Sequence, residues 1–188
     1  YGGKRYRSFG TEKYLEICAL GTIADCVDLT GEVRALTYFG LEKMKQTQWD
    51  GLAKMFEKMG LVPENLSAET IGYYVAPKLN AASRIGDVMR AVQLFLGNSE
   101  QHFERLTYLE RLNEERKRLT QKSTEEALLQ IKKSQNFQFL VDRNWKPGVL
   151  GLIGSKLVEK LNHPIVAIRL CEDGIAKASC RSPEGSSI

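Results

Sequence analysis

Four short segments of the chain combine side chains able to do chemistry. Asp25 follows directly on the apolar run at residues 19–24. A carboxylate on a rigid, buried turn is what a divalent cation needs; a plain helix-terminal or turn aspartate uses the same residue. The run PKLNAASR (residues 77–84) sets Lys78, Asn80 and Arg84 among small side chains. Small residues let a ligand approach closely while arginine supplies a planar fork for phosphate. A tight packing corner, with Ala81 and Ala82 seating a helix, accounts for them equally well. WKPGVLG (residues 145–151) precedes a helical pattern, and the free amides of a helix start can hold an anion, although most such turns are structural. ASCRS (residues 178–182) puts Ser179 and Arg181 two apart at a strand end, hence on one face. That hydroxyl–guanidinium pair suits a phosphate, or is simply an exposed edge strand.

Other chemistries find no support. The two histidines, His102 and His163, are far apart in sequence, which speaks against a zinc finger, and no nucleophile–histidine–acid set is available. Surface or capping roles are expected for both. The four cysteines form no C-x-x-C pair and read as free thiols in a reducing, cytoplasmic compartment. No apolar run approaches the ~18 residues of a membrane span. The 188 residues carry a formal net charge of +4, which leans toward anionic partners without requiring them. Residues 1–10 mix Lys4, Arg5 and Arg7 with three aromatic residues. Such a mixture can grip single-stranded nucleic acid, or merely decorate a terminus.

The elements that must position these segments follow from periodicity. Helices are predicted over residues 12–20, from Gly31 through Met44, and around Leu52–Met59 with Gly60 as the stop. A short fourth helix is capped by Ser67 and ended by Pro77, so that residues 79–86 form a connecting stretch. A fifth covers residues 88–96. Residues 99–133 hold neither glycine nor proline, and an unbroken helix there would reach roughly 50 Å at 1.5 Å per residue. Seven glutamates oppose eight basic residues in it, which fits a solvated spacer better than a surface coating nucleic acid. A coiled coil is opposed by the charged run 114–118, which breaks the heptad seam. After residue 133 the texture changes to strand 137–141, helix 149–161, strand 165–170, a turn at Glu172–Gly174 and strand 175–181. Strand–helix–strand implies a parallel crossover, here followed by a hairpin.

The segments LGTIADCVDLTGEVR (20–34), APKLNAASR (76–84), LNEERK (112–117), WKPGVLGLIGSKL (145–157) and ASCRS (178–182), in this order, resemble the RecJ family. These are single-strand-specific DNA exonucleases of the DHH phosphoesterase superfamily. The resemblance implies an α/β fold with three parts. Residues 1–98 correspond to the helical end of a DHH domain, 99–133 to a long connecting helix, and 134–188 to the start of a DHH-associated domain. It further implies 5′-to-3′ hydrolysis of single-stranded DNA with Mn2+ or Mg2+, in a cleft between the two domains, in repair and recombination. Single-strand-binding protein is an expected partner.

Asp25 matches a metal-binding aspartate of the family. Asn80 and Arg84 match the cleft-lining segment, and Ser179 and Arg181 match an element that holds the DNA backbone or its 5′-phosphate. The family's other metal ligands, an Asp-x-Asp pair, a further Asp and an Asp-His-His motif, have no counterpart in these 188 residues. Nor has the Gly-Gly-His element that closes the associated domain. The chain therefore reads as a piece of a longer enzyme, inactive alone because one carboxylate cannot hold two divalent cations. A catalytically inactive replication scaffold and an oligonucleotide phosphoesterase of the same superfamily are the alternatives.

Overall fold

The computed structural model describes residues 11–97, 99–132 and 134–186; the basic, aromatic stretch at residues 1–10 lies outside them. The fold is α/β, and the chain divides into two compact units. One comprises Tyr1–Asn80 with Met89–Leu109, the other Ala81–Val88 with Glu110–Ile188.

The first unit is helical. A 3-10 turn at Thr11–Tyr14 leads into α1 (Leu15–Ala24), followed by α2 (Gly31–Met44) and α3 (Asp50–Lys58). Apolar residues spaced three and four apart place Ala19, Leu20 and Ile23 of α1 and Leu52, Met55 and Phe56 of α3 in the interior. Each large side chain buried this way contributes about 1.5–3 kcal/mol. α3 stops where predicted. Gly60 takes φ +64°, and its amide and that of Leu61 bond back to Glu57 O and Phe56 O at 3.0 Å each. That is the Schellman arrangement. α1 ends the same way without a glycine: Cys26 takes φ +53°, with Cys26 N on Ile23 O at 3.1 Å and Val27 N on Thr22 O at 3.2 Å.

Pro77 does not end a helix. α4 (Ala68–Thr70), capped by Ser67 Oγ on the Thr70 amide, passes through a π-turn at Ile71–Val75 into α5 (Ala76–Ile85). In that turn the Ala76 amide reaches back five residues to Ile71 O, so the wider spacing absorbs the proline's missing donor. Residues 79–85 are therefore helical rather than a connecting stretch, and Asn80 and Arg84 stand one turn apart on α5. α6 (Val88–Leu96) follows. His102 is not a surface residue either: it is 3% exposed, with Nδ1 3.0 Å from Asp50 Oδ2 at the start of α3.

α7 (His102–Leu128) is the long helix, preceded by a 3-10 turn at Ser99–Gln101. Its 27 residues span about 40 Å, shorter than predicted. The cause lies beyond the helix. Gln130 bonds both the amide (2.9 Å) and the carbonyl (3.1 Å) of Val141, and the buried Gln138 bonds the amide (3.0 Å) and carbonyl (2.9 Å) of Lys132. Gln138 thereby takes over the Lys132 backbone groups that a continuing helix would have used, while Gln130 ties the helix end to the backbone of Val141.

The second unit carries a three-stranded sheet in the order β1 (Gln138–Asp142), β2 (Ile165–Leu170), β3 (Ala176–Arg181). β1 and β2 run parallel, joined through α8 (Leu150–Leu161); β2 and β3 form the expected hairpin. Gly174, at φ +80°, makes its turn, and Asp173 Oδ1 accepts from the Ile175 amide at 3.0 Å. The core gathers Leu140, Trp145, Ile153, Leu157 and Ile165, with Ala127 of α7 and the partly buried Ile85 of α5 against it. Trp145 is 1% exposed, and its Nε1 donates to Glu126 Oε2 at 3.0 Å, which satisfies the indole's one donor.

Candidate phosphate-binding site

In the helical unit, Asp25 is the C-cap of α1. Its amide bonds to Gly21 O at 3.0 Å, so the backbone that carries the carboxylate is held by the Schellman turn. The side chain is exposed rather than buried, because the chain leaves the helix surface at Cys26. Asn80 is half-buried, and its Nδ2 donates to Ala24 O at 3.4 Å. That bond ties α5 to the peptide preceding Asp25, which gives Asn80 a positioning role for the turn.

The fit of this unit to a divalent cation can be tested on its donors. Such ions take at least six ligands, mostly oxygens, and a site for a pair of them draws on more than one carboxylate even where waters fill the rest. Among the described residues no group of three or more His, Cys, Asp or Glu side chains comes together. Asp25 alone does not make a metal site, and no chemical step through a metal follows from these residues.

The second unit is different. Its site is built around the turn that opens α8, where a 3-10 turn at Pro147–Val149 runs into the helix. Gly148 packs directly on the end of α5: a Cβ there would collide with the Arg84 carbonyl oxygen. The half-buried Arg84 closes the contact, with Nη1 3.3 Å from Gly148 O. One helical turn on, a Cβ at Gly151 would stand 2.8 Å from Arg181 Nη2 and 3.3 Å from Ser179 Oγ, and one at Gly154 would stand 3.0 Å from Arg181 Cγ. The absent side chains leave a groove in which Arg181 lies along α8, its guanidinium beside Ser179. Arg181 Nη1 also donates to Cys180 O at 2.7 Å.

Ser179 and Arg181 thus share one face of β3, as their spacing predicts, and that face meets the start of α8. Arg84 sits on the other side of the same turn. Lys146 lies just ahead of it, 3.6 Å from Glu115 on α7. Guanidinium forks, a hydroxyl and a helix start around a glycine turn form an arrangement suited to phosphate oxygens.

Sequence reasoning missed Arg116. This half-buried residue of α7 feels the charge of Arg84, and Nη2 donates to Asn113 Oδ1 at 3.0 Å. Counting charges over the whole helix concealed it. The i, i+3 pairing of Asn113 with Arg116 inside LNEERK is the signal that could have marked it.

Comparison with known proteins bears out the resemblance. No protein-family model matches the chain. The single-stranded-DNA-specific exonuclease RecJ of Bacillus subtilis is 34% identical over 182 residues, covering 94% of this chain and 23% of that protein. The proteins of the same name from Thermus thermophilus and Escherichia coli are 31% and 30% identical, over 83% and 91% of this chain and 23% and 31% of theirs. Among solved structures, RecJ of Thermus thermophilus in complex with Mn2+ matches with a TM-score of 0.83 at 29% identity, over 94% of this chain and 26% of that one. An exonuclease RecJ bound to manganese matches with a TM-score of 0.77 at 28% identity, over 94% and 44%. The chain spans between about a quarter and a third of the length of the three RecJ proteins compared by sequence.

Proposed function

We propose that this chain, similar over nearly its whole length to a segment of RecJ exonucleases, holds single-stranded DNA for a metal-dependent 5′-to-3′ exonuclease. The observation that carries this reading is the gathering of Arg84, Arg181 and Ser179 around the glycine turn of α8. Phosphates of a single strand are the anions such a cradle takes. In this reading residues 1–98 are the helical end of the DHH domain, 99–133 the connecting helix and 134–188 the start of the associated domain. Asn80 steadies the Asp25 turn through its bond to Ala24 O, and its place on the strand-holding side follows from the resemblance.

Asp25 supplies one carboxylate to a site for Mn2+ or Mg2+, the metals with which the related RecJ structures are complexed. When bound, such ions activate water and neutralise charge on phosphorus. The remaining ligands are not among the described residues of this chain, so the chain by itself hydrolyses no DNA. A cytoplasmic location and a single-strand-binding protein as partner complete the proposal. No helix among the described residues is long and apolar enough to cross a membrane.

The test is fluorescence anisotropy with a labelled oligothymidylate over a salt series, comparing the unchanged chain with Arg84→Ala and Arg181→Ala. Each substitution should weaken binding about tenfold, the worth of one charge-assisted hydrogen bond. Each should also flatten the slope of log K against log salt by about 0.7. Unchanged affinity and slope in both variants would overturn the assignment. Manganese-dependent hydrolysis by the chain, lost in Asp25→Ala, would overturn the expected inactivity.

A further inference from the structure

A cavity of about 450 Å³ lies wholly within the helical unit, between α3 and the start of α7. Residues three and four apart line it from each side, Lys54, Glu57 and Lys58 from α3 and His102, Phe103 and Leu106 from α7. The walls differ in kind. Leu106 is buried, whereas the Phe103 ring is 74% exposed. Lys58 Nζ stands 4.5 Å from the centroid of that ring and donates to Thr107 Oγ1 at 2.8 Å. Lys54 pairs with Glu57 at 3.0 Å, so two lysines face one carboxylate and the lining carries surplus positive charge.

His102 supplies the decisive atom. The residue is 3% exposed, and its Nδ1 lies 3.0 Å from Asp50 Oδ2. An ionised carboxylate only accepts, which puts the proton on Nδ1 and leaves a lone pair on Nε2 of the neutral ring. Nε2 is buried with no hydrogen-bond partner. His102 lines the cavity and Asp50 does not, so the ring turns its bonded nitrogen away from the space and its other edge toward it. A buried acceptor without a donor costs folding free energy, and the cavity is where a donor can enter.

An occupant therefore needs three things. A flat aromatic face stacks on Phe103, an N–H meets Nε2, and an anionic group answers the lysines. A nucleobase carrying a phosphate has all three, and the volume lies within the roughly 300–1,000 Å³ of small-molecule sites. We infer that this cavity binds a nucleoside monophosphate, its base on Phe103 with an N–H toward His102 Nε2, and its phosphate at Lys54 and Lys58. The site shares no residue with the α8 turn and does not rest on the strand-holding reading. The nucleotide is either free or the terminal residue of a strand, and the chemistry of the lining serves both.

The test is isothermal titration calorimetry of the unchanged chain with dTMP, thymidine and inorganic phosphate over a salt series. Thymidine and phosphate should each bind at least about tenfold more weakly than dTMP, because each lacks one part of the match. Phe103→Ala, at an exposed position, should weaken dTMP about tenfold by loss of stacking. Lys58→Gln should weaken dTMP and flatten its salt dependence, with thymidine unchanged. His102→Asn keeps a donor for Asp50 and deletes Nε2. It should weaken dTMP and thymidine alike and leave phosphate as it was. N3-methyl-dTMP, which lacks the N–H, should bind the unchanged chain and His102→Asn equally.

Displacement of dTMP by 5′-phosphorylated oligothymidylate identifies a strand end as the occupant, and failure to displace identifies the free nucleotide. Absence of dTMP binding at millimolar concentration overturns the inference, as does an affinity no higher than that of inorganic phosphate. So does dTMP binding that survives in Phe103→Ala and Lys58→Gln but is lost in Arg181→Ala, which assigns the nucleotide to the α8 turn and leaves the strand-holding reading intact. Should His102→Asn not fold, Phe103→Ala and Lys58→Gln decide the question, since neither side chain belongs to the buried core.

Discussion

The helical unit offers its candidate chemistry as one exposed carboxylate at a helix end, whereas the α/β unit brings Arg84, Arg181 and Ser179 about a single glycine turn. The two depend on other parts of a protein to different degrees. A phosphate is bound donor by donor, and each fork, hydroxyl or amide adds its own increment. A compact unit with a few well-placed groups can therefore complete such a site. A pair of divalent cations needs several carboxylates held in one fixed geometry even where waters complete the shell, and Asp25 has no such company among the described residues. The α/β unit should thus bind its anion in the chain as it stands, while the helical unit awaits further ligands.

The contrast breaks most sharply at Gly148. Gly148→Ala places a methyl group against the Arg84 carbonyl oxygen, a backbone atom that cannot swing aside. Overpacking of this kind costs about 1–3 kcal/mol, visible as a lower denaturation midpoint, and Arg84 should lose its bond to Gly148 O. Oligothymidylate binding should fall with it. Full stability and full affinity in this variant would show that the turn does not position the cations.

Cys26→Gly tests the other unit. It relieves a left-handed backbone at a non-glycine residue, and should raise stability by up to about 1 kcal/mol, read in urea denaturation, with strand binding unchanged. Destabilisation would mean that the Cys26 side chain contributes more than its backbone costs.

The smallest effect is expected from Asp25→Ala in the absence of divalent ions. With no phosphate to hold, loss of the carboxylate should shift oligothymidylate affinity by less than about twofold. A large change in either direction would mean that Asp25 acts on the strand without metal, and would erase the distinction between the two units.

Two helix ends show where legibility in the sequence stops. α3 closes at Gly60, whose preference for positive φ marks the stop in the residue itself. α1 closes with the same hydrogen-bond pattern at Cys26, where nothing in the residue type announces it, and where the turn exposes Asp25 instead of burying it. Pro77 read as a terminator because the usual helix has no room for it, yet the π-turn before it supplies the room. The end of α7 at Leu128 is set by Gln130 and Gln138, whose side chains claim backbone groups across the chain.

Outside residues 71–86, local chemistry by itself determined the element types, and with them the parallel crossover with its hairpin and the pairing of Ser179 with Arg181 on one strand face, because periodicity and turn residues act over a few positions. It also marked Asp25, Asn80 and Arg84 as residues worth following. Tertiary structure alone decided that Gly148 seats Arg84 and that Gly151 and Gly154 make room for Arg181. It alone decided that Arg116, inside a helix whose charges nearly cancel, is half-buried against Asn113. Those outcomes depend on close approach between segments distant in the chain, and the free energy of a charge depends on what lies near it in space.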